Sequence, residues 1–161
     1  MSSIYLFDWG NTLMVDFPEY TGKMCHWETV QAVDEATETL AYLSAHHKVY
    51  IATGAADSSE AEIQQAFDRV HLSQYISGYF CKANLGIEKS SARFYQAVVE
   101  KLAVDASDIT MIGDSLEKDI IPALEAGLNA IWFNAFHLPL PEKNLVIKEY
   151  QHINGLWDLI R

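Results

Sequence analysis

Polar side chains follow three short apolar runs that lie far apart in the chain. Asp8, Thr53 and Asp114 each come after a run of β-branched, aromatic or other apolar residues that is typical of a buried strand. In parallel α/β sheets, ligands bind beyond the carboxyl ends of the strands. One strand-end Asp is usually a helix cap, but three polar strand ends that converge are the strongest indication of a functional site in this sequence.

The elements that position these side chains alternate along the chain. Strands are predicted at residues 4–7, 48–52, 75–80, 109–112 and 128–133. Helices are predicted at residues 28–47, from a capping-box pattern at 57–60 to Val70, from Ser90 or Ser91 to Leu102, and at 119–126. The tail suggests an edge strand at Val146 and Ile147 and a final short helix. This alternation predicts an α/β fold, a three-layer α/β/α Rossmann-like domain with a central parallel sheet.

Length and charge narrow the class of protein and its partners. The chain has 161 residues, 50% of them hydrophobic, which suits a single globular domain with a sizeable core. Its 11 Lys and Arg face 22 Asp and Glu, a formal charge of -11. So acidic a surface repels phosphate backbones and anionic lipid, and we expect neither nucleic acid nor membranes as partners. Without a basic, apolar leader or a long apolar segment, we expect a cytoplasmic protein.

Four segments resemble, in order and spacing, the four motifs of the haloacid dehalogenase-like (HAD) hydrolase superfamily. They read YLFDWGNTL, VYIATGA, GIEKSSARF and ITMIGDSLEKD. The fourth is the most specific, because Gly-Asp-Ser, a further Asp at position 119 and Ala-Gly after a short helix form a distinctive string. The resemblance covers Ile4 to about Phe133 and implies a HAD-like fold with phosphohydrolase chemistry.

The resemblance implies a nucleophile and a metal site. Asp8 would attack phosphorus, and a carboxylate is a weak nucleophile that needs an electrophilic phosphorus and neutralised surroundings. A Mg²⁺ would supply both, held by the carboxylates of Asp8 and Asp114 and by the backbone carbonyl of Gly10. The same cation would remove the cost of two carboxylates buried at strand ends.

The resemblance also implies supporting roles around the phosphoryl group. Thr53 would donate a hydrogen bond to a phosphoryl oxygen, and Lys89 would offset the charge of the two anions. Asp119 would hold Lys89 or a metal-bound water, although it also suits a helix cap. Lys82 competes with Lys89 as the active-site cation, and Lys89 is favoured because it directly precedes the helix capped at Ser90.

The first motif departs from the pattern of the phosphatase branch, which usually reads Asp-x-Asp-Gly-Thr. This chain reads DWGNT, with Gly10 in place of the second Asp and with Asn11, which tolerates a left-handed turn, in place of Gly. The second Asp normally protonates the leaving oxygen and later activates water, help worth ~10²–10⁴ in rate.

Asp16, Glu19 or His26 are candidates to replace this second Asp. Alternatively, a good leaving group such as an acyl phosphate needs no acid, or the site binds phosphate or Mg²⁺ without turnover.

The spacing between the motifs leaves no room for a cap domain. The stretches from Thr12 to Thr53 and from Tyr79 to Lys89 are too short to hold one. We therefore expect residues 1–161 to form a single HAD-like core domain, with residues 14–27 as a small flap. DWGNT is also similar to the first motif of phosphonoacetaldehyde hydrolase, but that enzyme needs a lysine on the cap. An open site implies a large substrate or a homo-oligomer that closes it.

The sequence therefore predicts a Mg²⁺-dependent phosphohydrolase that acts through an aspartyl-phosphate on a small phosphorylated substrate. The alternative is a catalytically weakened HAD relative that serves as a phosphate-binding, metal-binding or protein-interaction module. Gly10 is the residue that keeps this alternative open.

Overall fold

Six short strands form one sheet within the part of the chain described by the computed structural model, residues 3–141 and 150–160. The strands are Ile4–Phe7 (β1), Lys48–Ala52 (β2), Gly78–Phe80 (β3), Ile109–Gly113 (β4), Asn129–Phe133 (β5) and Gln151–Ile153 (β6). Their order is β3-β2-β1-β4-β5-β6, and all neighbours are parallel. The α-helices are Ala36–His46 (α1), Glu60–Asp68 (α2), Lys82–Leu85 (α3), Ala92–Leu102 (α4) and Ile121–Glu125 (α5).

The side chains of the central strand β1 alternate between two cores, as the pleat of a strand requires. Phe7 packs in the core that includes Leu40 of α1 and Phe67 of α2. Leu6 belongs to the other core, which includes Phe94 of α4. Helices therefore cover both faces of the sheet, and the predicted Rossmann-like α/β fold with a central parallel sheet is confirmed.

The helix predicted at residues 28–47 is wrong in its first part, because only α1 is helical. Before it, the chain is extended and pairs with the segment that follows β1: the amide of Val33 donates to the carbonyl of Leu13 at 2.8 Å. Glu35 then takes a φ of 70°, a left-handed conformation that a helix interior does not contain. The helical spacing of apolar residues before α1 thus reflects a loop whose Val30 and Val33 are half-buried against the core.

Two other helices begin at residues that differ from the prediction. The helix predicted at 119–126 starts earlier, with a π-helical turn at Leu116–Ile120 that continues into α5. The N-cap of α2 is Ser59, and Glu62 completes its capping box instead of Glu60. In this capping box, Ser59 and Glu62 are three residues apart, and each side chain accepts a hydrogen bond from the other residue's amide.

The remaining differences lie at the edges of the sheet. The strand predicted at 75–80 is reduced to β3, since Ser73–Tyr75 form a 3₁₀ turn. The predicted final short helix is present as the 3₁₀ helix Leu156–Leu159. The edge strand predicted at Val146 and Ile147 lies outside the described residues. Within the described ranges, no helix has the length and apolarity needed to cross a bilayer.

Residues 14–27, predicted to be a small flap, lie against α2. At the end of that helix, Arg69 donates to the carbonyl of Trp27 at 2.5 Å and to three neighbouring carbonyls at 3.2 to 3.5 Å. Lys23 forms an ion pair of 2.7 Å with Glu62. The segment is therefore anchored to α2, and its movement as a flap stays a prediction.

We expect Arg69→Ala to loosen this segment, because the guanidinium donates to four backbone carbonyls and alanine has no donor to replace it. The free energy of unfolding should fall by about 1 kcal/mol, and proteases should cut within residues 14–27 more readily. Urea unfolding and limited proteolysis measure both effects. Arg93→Ala, on an exposed position of α4, is the matched control and should leave both unchanged. Equal cleavage in the two variants would contradict the anchor.

Candidate active site

The carboxyl ends of β1, β2 and β4 open into one cavity of about 550 Å³. Asp8, Thr53 and Asp114, which follow these three strands, all line it. Phe7 of β1 lies opposite Ile112 of β4, and the amide of Asp8 donates to the carbonyl of Ile112 at 2.9 Å. The structure thus brings together the three strand-end side chains singled out in the sequence.

A buried ammonium group joins two of the carboxylates. Nζ of Lys89 lies 2.5 Å from Oδ1 of Asp8 and 2.6 Å from Oδ1 of Asp119, and Lys89 is only 5% exposed. Lys82, the competing candidate, instead pairs with Glu88 at 3.2 Å, and both side chains are largely exposed. The geometry therefore favours Lys89 as the cation of the site.

The turn after β4 places Asp119 against the end of that strand. The π-helical turn Leu116–Ile120 carries Asp119 back over Ser115, whose amide donates to Oδ2 of Asp119 at 3.0 Å. A Cβ on Gly113 would lie 2.5 Å from Cβ of Asp119 and still closer to its carboxylate. Position 113 therefore needs glycine, because any side chain there would displace the carboxylate that holds Lys89.

Thr12 also lies in the site, although no role was predicted for it from the sequence. Its side chain is fully buried, and its hydroxyl lies 2.9 Å from Oδ2 of Asp8 and 3.5 Å from Oδ1 of Asp114. A tight turn brings it there, in which Asn11 has the expected left-handed conformation with a φ of 59°. The available signal was the last residue of DWGNT, which matches the Thr of the family motif.

The carboxylates of the site shift one another's protonation. Burial, together with the hydrogen bond and negative charge of Asp8, raises the pKa of Asp114 to about 8. Burial and the charge of Asp8 raise the pKa of Asp119 to about 6, although Lys89 opposes this shift. Burial alone would lower the pKa of Lys89, but Asp8 and Asp119 outweigh it and raise that pKa. Three carboxylates around one ammonium leave an excess of negative charge.

The site fits a divalent cation. Carboxylate oxygens of Asp8, Asp114 and Asp119 lie within 4.8 Å of one another. Mg²⁺ prefers oxygen ligands, and its charge would cancel the excess that raises the pKa of Asp114. Asp119 is fully buried, whereas Asp8 and Asp114 are only half-buried and line the cavity, so these two side chains are the better placed to hold the ion. Gly10, whose carbonyl is the third predicted ligand, lines the same cavity.

Of the three predicted substitutes for the missing acid, Asp16 lines the cavity and the other two do not. A Cβ on Gly10 would lie 3.4 Å from Cβ of Asp16 and 3.6 Å from its Oδ2. Glu19 is exposed outside the cavity wall. His26 is exposed as well and lies beside Glu62, with potential ligand atoms of the two within 4.8 Å.

Thr53 keeps a proton available for an anion in the cavity. Its side chain is buried, and Oγ1 accepts a hydrogen bond from the amide of Ala55 at 3.0 Å. Because a hydroxyl both accepts and donates, its own proton can still be given to another acceptor. This geometry suits the predicted contact with a phosphoryl oxygen.

The cavity also has an apolar wall. Met24 and Trp27 contribute to it from the segment anchored on α2. The indole Nε1 of Trp27 lies 3.2 Å from the carbonyl oxygens of Thr21 and Gly22, and the ring stacks on Tyr20 with centroids 5.3 Å apart. The Trp27 ring is therefore held in a fixed orientation at the edge of the cavity.

A parallel sheet whose central strands end in a cluster of carboxylates and one lysine is typical of hydrolases that use an aspartate at a strand end. The family model of the haloacid dehalogenase-like hydrolases matches residues 10–127, and the chain belongs to this family. The membership expected from the four motifs is thus confirmed.

Solved structures with low sequence identity have the same fold. An uncharacterized protein from Listeria monocytogenes serotype 4b superposes with a TM-score of 0.84 at 22% identity, over 98% of this chain and 94% of that one. The HAD-hydrolase YfnB from Bacillus subtilis, solved bound to magnesium, gives a TM-score of 0.78 at 17% identity, over 98% and 96% of the two chains.

Two curated relatives are nucleotidases. Pyrimidine 5'-nucleotidase YjjG of Escherichia coli (strain K12) is 30% identical over 80 residues, 49% of this chain and 36% of YjjG. Pyrimidine 5'-nucleotidase PynA of Streptococcus pneumoniae (strain ATCC BAA-255 / R6) is 37% identical over 68 residues, 42% of this chain and 29% of PynA. The matched part of the chain thus spans about a third of the length of these relatives.

We expect Gly113→Ala to disrupt the site, because the new Cβ would occupy the space of Asp119 and Lys89 would lose one of its two carboxylates. The free energy of unfolding should fall by about 2–4 kcal/mol, measured by urea unfolding. Gly54→Ala is the matched control in the same cavity, since its Cβ would meet only Cβ of Lys89, at 3.8 Å. Equal losses in the two variants would show that Gly113 has no special role.

The raised pKa values of Asp114 and Asp119 predict a pH dependence for the metal-free protein. Between the ordinary value of 3.8 and about 8, native Asp114 binds more protons than the unfolded chain does, so stability should fall as the pH rises through this window. Thermal unfolding in EDTA measures the dependence of stability on pH, which Asp114→Asn should reduce.

Saturating Mg²⁺ should stabilise the protein most at the alkaline end of this window, because it binds ionised carboxylates. Asp34→Asn, at an exposed position, should keep the wild-type slope. An unchanged slope in Asp114→Asn would contradict the assignment.

Proposed function

We propose that the protein is a Mg²⁺-dependent phosphohydrolase that acts through an aspartyl-phosphate on Asp8. The main support is the position of this strand-end carboxylate at the cavity. Lys89 contacts one of its oxygens at 2.5 Å, and Thr12 contacts the other at 2.9 Å. A carboxylate oriented by two donors presents its remaining lone pairs in a fixed direction. Membership of the HAD-like family and the nucleotidase relatives support phosphate chemistry over other hydrolytic reactions.

Each group of the site has a role in this proposal. Mg²⁺, bound by Asp8, Asp114 and the carbonyl of Gly10, would make the phosphorus electrophilic and neutralise the charge between two anions. The ammonium of Lys89 offsets the remaining negative charge. The hydroxyl of Thr53 donates to a phosphoryl oxygen and fixes the orientation of the group.

The reaction has two displacements at phosphorus. An oxygen of Asp8 attacks in line, and the bond to the leaving-group oxygen breaks with its electron pair on that oxygen. Water then attacks the aspartyl-phosphate, the bond between phosphorus and Asp8 breaks, and phosphate leaves with the carboxylate restored. Asp119 acts as a positioning residue, since it holds Lys89 and is itself buried.

We propose a small phosphorylated molecule as the substrate, with nucleoside 5'-monophosphates as the first class to test. The two curated relatives are named as pyrimidine 5'-nucleotidases. A cavity of about 550 Å³ is within the usual range of small-molecule sites. Met24 and Trp27 add apolar side chains to the lining of this cavity. The cytoplasmic location, the absence of a cap domain from residues 1–161 and the closure of the site by a second copy stay predictions.

A catalytically weakened relative is the second candidate, and a specific residue favours it. Gly10 has no side chain to protonate a leaving group, so a site of this kind can hold phosphate and Mg²⁺ without turnover. Such a protein would act as a binding or protein-interaction module.

Asp8→Asn separates the two candidates, because it keeps the size of the side chain and removes the nucleophile. With Mg²⁺ and a panel of pyrimidine and purine nucleoside 5'-monophosphates, sugar phosphates and acetyl phosphate, we expect wild-type phosphate release that EDTA abolishes. Asp8→Asn should lower kcat by ~10⁴-fold or more. Asp34→Asn, at an exposed position, is the matched control. Turnover that survives in Asp8→Asn would refute the proposal, and activity that appears only in Gly10→Asp would establish the weakened relative.

A further inference from the structure

Asp16 borders the space that a side chain at position 10 would fill. A Cβ built on Gly10 would lie 3.4 Å from Cβ, 3.6 Å from Oδ2 and 3.7 Å from Cγ of Asp16, and these are its three nearest neighbours. All three separations are ordinary van der Waals contacts. The carboxyl group of an aspartate begins one bond beyond Cβ, so the carboxylate of Asp16 adjoins the volume that an aspartate at position 10 would use.

The turn after Asp8 holds Asp16 in this place. Asn11 is left-handed, with a φ of 59°, and its Oδ1 accepts a hydrogen bond from the amide of Asp16 at 3.0 Å. Met14 forms bridges with both Gly10 and Ala32, so the chain doubles back between positions 10 and 16. Because these contacts use backbone atoms of Asp16, its carboxylate is left free to face the cavity, which it lines.

The other carboxylates of the cavity have other tasks. Asp114 belongs to the cluster suited to a cation, and Asp119 is bound to Lys89. Asp57 accepts a hydrogen bond from the hydroxyl of Ser58 at 3.3 Å, and Glu88 pairs with Lys82 at 3.2 Å. Among the residues described, Asp16 forms no ion pair within salt-bridge distance, and it is exposed to solvent from which it can exchange protons.

We propose that Asp16 is the catalytic acid and base of the reaction, in place of the side chain that Gly10 lacks. The inference rests on the proposed phosphohydrolase function. It assigns to Asp16 the proton transfers for which the first motif, with Gly10, has no side chain. It makes the chain a complete enzyme whose proton-transfer group comes from six positions further along the sequence than the motif expects.

The proton transfers balance over one cycle. In the first displacement, an oxygen of Asp8 bonds to phosphorus while the leaving oxygen takes the electron pair of the broken bond and the proton of the Asp16 carboxyl group. In the second, the Asp16 carboxylate removes a proton from water as the water oxygen bonds to phosphorus. The bond to Asp8 then breaks with its electrons on the carboxylate, and Asp16 is again protonated.

Asp16→Asn tests the proposal, because it keeps the size of the side chain and removes its proton chemistry. We expect kcat with an alkyl phosphate ester to fall by ~10²–10⁴-fold. With acetyl phosphate, whose leaving group needs no acid, the first displacement should persist and the second should be slow. Asp16→Asn should therefore accumulate a phosphorylated form visible by intact-protein mass spectrometry, and the form should be absent from Asp8→Asn/Asp16→Asn.

A rescue variant distinguishes catalysis from a structural role. Gly10→Asp/Asp16→Asn returns a carboxyl group to position 10 and should recover much of the lost kcat. Asp34→Asn is the matched control for the removal of one acidic charge, and Glu19→Gln and His26→Gln represent the two rival acids. All variants that keep Asp8 should keep the wild-type urea midpoint.

Each outcome decides the proposal. Wild-type rates in Asp16→Asn, with activity still dependent on Asp8, would overturn the role of Asp16 and leave the phosphohydrolase function standing. So would a loss confined to Glu19→Gln or His26→Gln, or a loss in Asp16→Asn with neither rescue nor a trapped phosphoenzyme. Wild-type protein that neither turns over nor becomes phosphorylated on Asp8 would overturn the proposed function and Asp16 together.

Discussion

The buried ion pair network of Lys89 with Asp8 and Asp119 is the constraint on which the rest of the site depends. An ammonium group removed from water is costly unless its partners are close and well oriented. Both partners meet this condition at 2.5 and 2.6 Å. To achieve it, the strand β4 ends in Gly113, and the amide of Ser115 fixes the second carboxylate. Gly113 and the amide of Ser115 thus both position Asp119 so that it can stabilise the buried ammonium of Lys89.

The same cluster has more negative than positive charge. Three carboxylates lie around one ammonium, and burial together with the hydrogen bond and charge of Asp8 raises the pKa of Asp114 to about 8, so that a bound proton offsets part of the excess charge. A core optimised for stability would not gather these groups, because like charges in a buried place repel. A cation held by these carboxylates would offset that repulsion and so would stabilise the folded protein.

Much of the fold and part of the site could be predicted from the sequence. Apolar runs that alternate with helical periods give a parallel α/β sheet, and that topology alone brings Asp8 and Asp114 to one edge. The pattern could not distinguish a loop from a helix in the first part of residues 28–47, since a loop can also pack apolar residues against the core. The contact of Thr12 with Asp8 arises from a tight turn, and the nearness of Asp16 to Gly10 from a chain reversal. Neither leaves a periodic signal.

Arg69 contributes to the anchor of the cavity wall by binding the peptide backbone alone. Arg69 binds carbonyl oxygens, which every residue type possesses, along the stretch that includes Trp27 and Met24. Met24 and Trp27 are nonetheless buried in the core, at 7% and 8% exposure, so packing constrains their side chains even though the contacts of Arg69 do not. A change of side chain in this wall therefore keeps the guanidinium contacts only as long as the backbone keeps its course.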